Sequence, residues 1–240
     1  MRTLLTVVAA ATFSHTAFSQ AMYDINFQSA DQAVNQVVTT GPAPNHVSSI
    51  WFGTPTVVAA FGPLTDQPLL FNSNGQSPMA FGYYYTQIEL AFAYVPLPSV
   101  DLAFDMVDAG SSHSFTVLFD TPTVRNFEFN NGQITFINPL LPNVNVGNYQ
   151  MGQVNRFDIH IDYHLNQWSF TENNSLLDSG AFNPDGNLQS IRFNYSATGP
   201  DTSGTAIDNL LVVTPEPSST SFLASICCVF VSRYFYLRKH

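Results

Sequence analysis

Positive charge is nearly missing from the middle of this chain. Of its 240 residues only seven are lysine or arginine, and between residues 22 and 214 only Arg125, Arg156 and Arg192 stand against sixteen carboxylates, a formal charge of −13. Binding a nucleic-acid backbone needs cationic side chains that replace phosphate counterions, so nucleic acid is excluded as a partner. Charge of either sign is scarce, at 10% of residues, against about 25% in ordinary globular chains. The surface must therefore be built largely from amides and hydroxyls. Cysteine is equally thin: Cys227 and Cys228 are the only two, adjacent in a C-terminal apolar run. The body thus has no disulfide staple and no thiolate metal site. That does not exclude export, because a domain of this length can be stable on its core alone.

Catalytic signatures are missing as well. There is no Gly-x-Ser-x-Gly elbow, no phosphate-cradling glycine loop and no cysteine nucleophile outside the terminal run. Asp101, Asp105 and Asp108 precede Gly110-Ser111-Ser112 but lack the oxygen-ligand spacing of a calcium-binding loop, and they read as turn or rim carboxylates. No cofactor and no metal is called for.

Sustained helical periodicity and internal repeats are absent from residues 22–214, whereas short alternating apolar segments recur between turn residues. Strands are expected over 87–95, 102–107, 114–119, 123–129, 133–137, 154–164, 167–171, 189–196 and 206–213. Between them lie Asn130-Asn131-Gly132, Leu165-Asn166, Glu172-Asn173-Asn174 and 183–187, compositions that admit positive φ or preset a turn. So many short strands are best buried as two antiparallel sheets packed face to face, an all-β sandwich of jelly-roll type. The Gly- and Pro-rich stretch 31–77 is expected to supply early edge strands and long loops rather than a second domain.

The two ends differ from this body. Residues 1–21 carry Arg2, an apolar stretch over 4–13 and small residues at Ala17, Ser19 and Ala21, the layout of a secretory signal peptide cleaved near 19 or 21. At the other end Pro215, Glu216 and Pro217 precede an apolar segment, 218–237, interrupted by Arg233 and closed by Arg238 and Lys239. Its length approaches the roughly 20 residues of a spanning helix. An arginine near the helix end can run its stem along lipid, and the basic tip sets a cytoplasmic end. This order of Pro-Glu-Pro, apolar helix and basic cluster resembles the PEP-CTERM sorting signal of exported bacterial proteins. The resemblance covers 215–240 and implies processing at the tripeptide by exosortase, a membrane protease-transpeptidase. It also implies passage through the secretion machinery, at least transient anchoring in the inner membrane, and delivery to the cell surface or extracellular matrix. The expected domains are 1–21 signal peptide, 22–213 sandwich and 214–240 sorting segment.

Within the body, the clearest alternation is RFDIHIDYHL. Phe157, Ile159, Ile161, Tyr163 and Leu165 share one face, and Asp158, His160, Asp162 and His164 the other. A tight turn, Trp168-Ser169-Phe170 and an Asn-rich turn follow. The long strand, turn and Trp-headed strand resemble the central meander of concanavalin A-like lectin and laminin-G-like sandwiches. GTAIDNLLVV likewise resembles their closing strand, and together the resemblance covers 150–213. It implies a candidate ligand face of Asp158, His160, Asp162, His164 and Trp168, with polysaccharide as the candidate ligand. Tyr83-Tyr84-Tyr85 are further candidates for stacking on sugar rings.

Glycoside hydrolases of this sandwich class carry a Glu-x-Asp-x-Glu row, with two carboxyls about 5–5.5 Å apart for retaining chemistry. Here the comparable row is Asp158-x-His160-x-Asp162. The expectation is therefore a non-enzyme, an exported envelope or matrix protein with a structural or adhesive, carbohydrate-binding sandwich. The alternatives are a secreted polysaccharide-acting enzyme of the lectin-like class and a plain tail-anchored envelope protein.

Overall fold

The computed structural model describes residues 19–28, 32–79, 82–92, 99–120, 125–138, 142–182 and 188–215. Gln20–Thr214 form one compact unit. The signal-peptide segment before residue 19 and Glu216 onwards, including Pro217, Arg233, Arg238 and Lys239, lie outside the described residues. No helix among the described residues is long and apolar enough to cross a membrane.

Two sheets form the body. The nine-stranded sheet runs in the order β14 (Ser175–Ala181), β13 (Gln167–Glu172), β12 (Asn155–Asp162), β7 (Ser99–Asp108), β16 (Thr205–Pro215), β5 (Leu69–Phe71), β4 (Thr56–Val57), β2 (Gln36–Val37), with β1 (Ser19–Ile25) also pairing with β16. The seven-stranded sheet runs β11 (Val144–Asn148), β10 (Gln133–Ile137), β9 (Arg125–Asn130), β8 (His113–Asp120), β15 (Ser190–Ala197), β6 (Tyr84–Ala91), β3 (Ser49–Phe52). The expected all-β sandwich is present. Strand ends move by a few residues from the sequence-based expectation; β6, for instance, starts at Tyr84 and ends at Ala91.

Alternation fixes which side chains meet. Phe104 of β7 faces Phe157 of β12 in register, while Phe115, Phe127, Phe129, Phe136, Phe170 and Phe193 fill the space between the sheets, each at most 2% exposed. Phe129 and Phe157 have ring centroids 5.0 Å apart, and Phe104 meets Phe193 edge-on at 5.5 Å. Each such pair adds about 0.5–1.5 kcal/mol beyond its buried area. The Asn-rich turns take the conformations their composition allows. Asn131 and Gly132 have φ of 50° and 78°, and Asn173 and Asn174 have 49° and 65°, giving two-residue hairpins with both central residues left-handed.

Candidate functional site

The expected ligand face on β12 is a self-paired surface. His160 Nδ1 lies 2.5 Å from Asp101 Oδ1 on β7, which raises the His160 pKa. Arg156 reaches Asp105 at 3.4 Å and Asp158 at 3.9 Å. Asp162 accepts from the backbone N–H of His164 and Leu165 at 2.8 and 2.7 Å, closing the turn. The strand ends at Asp162, so His164 leaves the row and Leu165 is 60% exposed instead of sharing the inward face. Trp168 requires the main correction. It pairs with Ile161, faces inward at 3% exposure and packs on Phe136 at 4.8 Å and Phe127 at 5.5 Å. It is a core residue. Among the described residues no three His, Cys, Asp or Glu side chains are grouped to hold a metal ion.

The opposite outer face, on the seven-stranded sheet, carries a polar row in which Gln87 and Thr116 are buried, at 6% and 7% exposure, and Asn194, Glu128, Thr135 and Asn145 are partly or fully exposed. Register places Gln87 beside Asn194, Asn194 beside Thr116, Thr116 beside Glu128, Glu128 beside Thr135 and Thr135 beside Asn145. Six strands at a spacing of about 4.8 Å make this row about 24 Å long. Next to it, Glu128, Asn130, Gln133, Thr135 and Asn148 line an open depression of about 500 Å³. Tyr83, Ser112, Ser114, Asn130 and Ser196 line a second of about 310 Å³. Asn130 belongs to both. Tyr83 is 40% exposed and its ring lies 6.2 Å from that of Tyr85, whereas Tyr84 packs against the core.

The second depression rests on a buried polar network. His113 places Nδ1 2.7 Å from Asp201 Oδ2 and Nε2 2.8 Å from Asp108 Oδ1. Tyr195 donates to Asp201 at 2.9 Å, Tyr149 donates to Asp108, and Ser203 donates to Asp201 through its N–H at 2.8 Å. A carboxylate facing each ring nitrogen favours a proton on both, while the Thr205 hydroxyl lies 2.9 Å from the same Nε2. Burial opposes that charge, but the two carboxylates outweigh it and raise the His113 pKa. Of the acidic group expected at turns or rims, Asp101 is exposed and Asp105 half-buried on the outer face, but Asp108 is buried at 1% exposure. The network ties the 108–113 turn and the 199–205 segment to the core, fixing the rim formed by Ser112, His113 and Ser114.

No family model matches the sequence, and no curated protein matches it. Solved structures do share the fold. A sialidase superposes with a TM-score of 0.55 at 13% identity, over 82% of this chain and 19% of its own. An endo-β-1,4-glucuronan lyase from the fungus Trichoderma reesei superposes with a TM-score of 0.51 at 12% identity, over 75% of this chain and 94% of its own. The chain thus spans about a fifth of the sialidase and nearly the whole lyase. The expectation of a non-enzyme is corrected by these likenesses. It rested on a carboxylate row missing from one strand, whereas a sandwich of this fold is, in the lyase, nearly the entire enzyme.

Proposed function

We propose that the chain is an exported, polysaccharide-acting protein of the lectin-like sandwich class, which holds its glycan across the outer face of the seven-stranded sheet. The carrying observation is the row Gln87, Asn194, Thr116, Glu128, Thr135 and Asn145, flanked by two depressions that meet at Asn130. Amides and hydroxyls are the complement of sugar hydroxyls, and Tyr83 and Tyr85 add flat apolar surface at one side. A sialidase, about a fifth of which shares this fold, and a glucuronan lyase, nearly all of which does, are named for action on sugars, which supports polysaccharide as the ligand class.

Export is the second part of the proposal, with cleavage of the signal peptide, exosortase acting at Pro215, Glu216 and Pro217, and membrane anchoring through 218–237. In support, the described core side chains of β1 and the segment after it, Tyr23, Ile25 and Phe27, lie beyond residue 21. The last β16 residue in register with β7 is Val213 and the strand ends at Pro215, so Glu216 and Pro217 follow it in sequence.

The test is affinity electrophoresis of the exported protein through a panel of polysaccharides. Reducing ends and unsaturated uronates are assayed in parallel, so that hydrolysis and elimination are both seen. Retention by at least one glycan is expected, weakened about tenfold (about 1.4 kcal/mol) by a combined Glu128→Ala and Asn194→Ala variant. Retention by none, or retention indifferent to that variant, overturns the assignment.

A further inference from the structure

We infer that Trp51 forms an aromatic subsite at the β3 edge of this face, one that stacks on an uncharged pyranose ring and disfavours uronates. It rests on the function proposed above and narrows it to a substrate class. The starting point is a break in register. Ser49 pairs with Glu89 and Ile50 with Ile88, but Phe52 pairs with Gln87, so Trp51 is the extra residue of a bulge. Ile88 points into the core, and its neighbours Gln87 and Glu89 belong to the outer face. Ser49 and Phe52 therefore share that face, and the bulge turns Trp51 out with them. Trp51 is 54% exposed and Phe52 38%.

The indole is held although it is exposed. Its Nε1 donates to Glu89 Oε2 at 2.7 Å, and Ser49 Oγ donates to the same oxygen at 2.8 Å. The Arg192 guanidinium lies 5.6 Å from the ring centroid, and Arg192 is itself fixed by Asp120. One edge of the ring is hydrogen-bonded and a guanidinium lies over it, yet more than half of the side chain remains exposed. A rigid aromatic whose orientation is set beforehand loses little freedom when a ligand arrives. Burial works against the Glu89 carboxylate, but the hydrogen bonds from Trp51 and Ser49 and the nearby Arg192 charge keep its pKa low. The anchor is charged at neutral pH.

Those charges select the ligand. Glu89, Asp120 and Arg192 carry a net −1 around the ring, and the C–H face of a pyranose, apolar and weakly positive, suits an electron-rich indole. Carboxylates beside the ring accept from sugar hydroxyls. A uronate would need a free cation, and this face has none to give: of the three arginines in the body, Arg192 is engaged by Asp120, Arg125 is buried, and Arg156 lies on the other sheet. The body's charge of −13 repels polyanions further.

The experiment uses the full exported chain with two groups of probes: soluble β-glucan, xylan and galactomannan, and polyglucuronate, alginate and polygalacturonate. Trp51 and Trp168 are the only tryptophans, and Trp168 is buried, so acrylamide quenching reports on Trp51. Expected are retention by a neutral polysaccharide, shielding of the quenchable tryptophan by it, and no retention by polyuronates. Trp51→Ala should weaken binding about tenfold, and Trp51→Tyr should restore most of it, both with an unchanged melting temperature. Binding of neutral glycan unaffected by Trp51→Ala overturns the subsite and leaves the proposed function standing. Retention by polyuronates alone overturns the substrate class only. Retention by no glycan overturns both.

Discussion

His113 has a carboxylate on each ring nitrogen, and its protonation is tied to folding. Its folded pKa lies above the ordinary value of about 6.5, so the stability it contributes is complete below that value and is lost as pH rises through the raised folded pKa. Asp201 has the opposite sign. Burial disfavours its charge, yet donors from Ser203, Tyr195 and His113 hold its pKa low, so its contribution is present above about pH 3.9 and lost as pH falls through the lowered value. Replacing His113 by Gln leaves buried carboxylates without their cation. It should cost about 3–5 kcal/mol and remove the alkaline decline, measured by urea unfolding at pH 5 and pH 9; an unaltered alkaline slope would show that His113 is not the titrating group. Asp208 behaves differently again. Burial, with Asp105 and Asp66 nearby, pushes its pKa up to about 6, so it destabilises the fold increasingly as pH rises from about 4 to about 6. Asp208→Asn keeps an acceptor for the Asn209 N–H and should leave stability unchanged near pH 4 while adding about 2 kcal/mol at pH 7. The sequence reading noted Asp108 before Gly110-Ser111-Ser112 but not His113 after it; Asp201 is 88 positions from His113 and Tyr149 is 41 from Asp108. No local pattern brings those four together.

Strands were legible where one face is wet and the other dry. In β9 and β10, Phe127, Phe129, Ile134 and Phe136 alternate with Glu128, Asn130 and Thr135, and the pattern alone places them. β14 and β11 went unread because both are sheet edges with little to bury; Leu176 is 63% exposed and Val144 37%. Trp168 was misplaced because the aromatic at a strand start was taken as outward. Its pairing with inward Ile161 across the hairpin decides the matter. Trp51 was missed since a one-residue bulge defeats alternation, although Arg192, Asn194 and Ser196 were readable as the outward set of a recognised strand. Junctions between elements make a sharper test. At Gly204 φ is 70°, and an added Cβ would lie 2.2 Å from the carbonyl oxygen of Phe71, where β16 begins pairing with β5. At Gly199 nothing lies within 4 Å. Gly204→Ala should therefore cost more than about 3 kcal/mol, and Gly199→Ala less than about 1 kcal/mol, compared by chemical denaturation. Equal effects would mean that the β5–β16 junction relaxes around the methyl group.

Across the whole molecule the scarcity of cations sets the electrostatic behaviour. A body with three arginines and sixteen carboxylates repels itself, and screening weakens that repulsion as the Debye length falls from about 30 Å at 0.01 M salt to about 8 Å at 0.15 M. The melting temperature should rise by about 3 °C over that range, and a flat response would show that the carboxylates are too dispersed to interact. The remaining cations, apart from Arg2, lie beyond Pro217, in an order that resembles a sorting signal. The proposed sorting role and the proposed glycan face can be tested separately, because β16 register with β7 stops at Val213 and the strand ends at Pro215. Replacing Pro215, Glu216 and Pro217 together by alanine should leave the thermal transition of the sandwich in place. Processing should stop, so that cell fractionation finds a larger species retained in the membrane fraction while the parent chain appears, shortened, at the surface or in the medium. If parent and variant have the same size and the same location, the tripeptide is not read by exosortase and the segment acts as a plain anchor. A lowered melting temperature would instead mean that the tripeptide contributes to the fold.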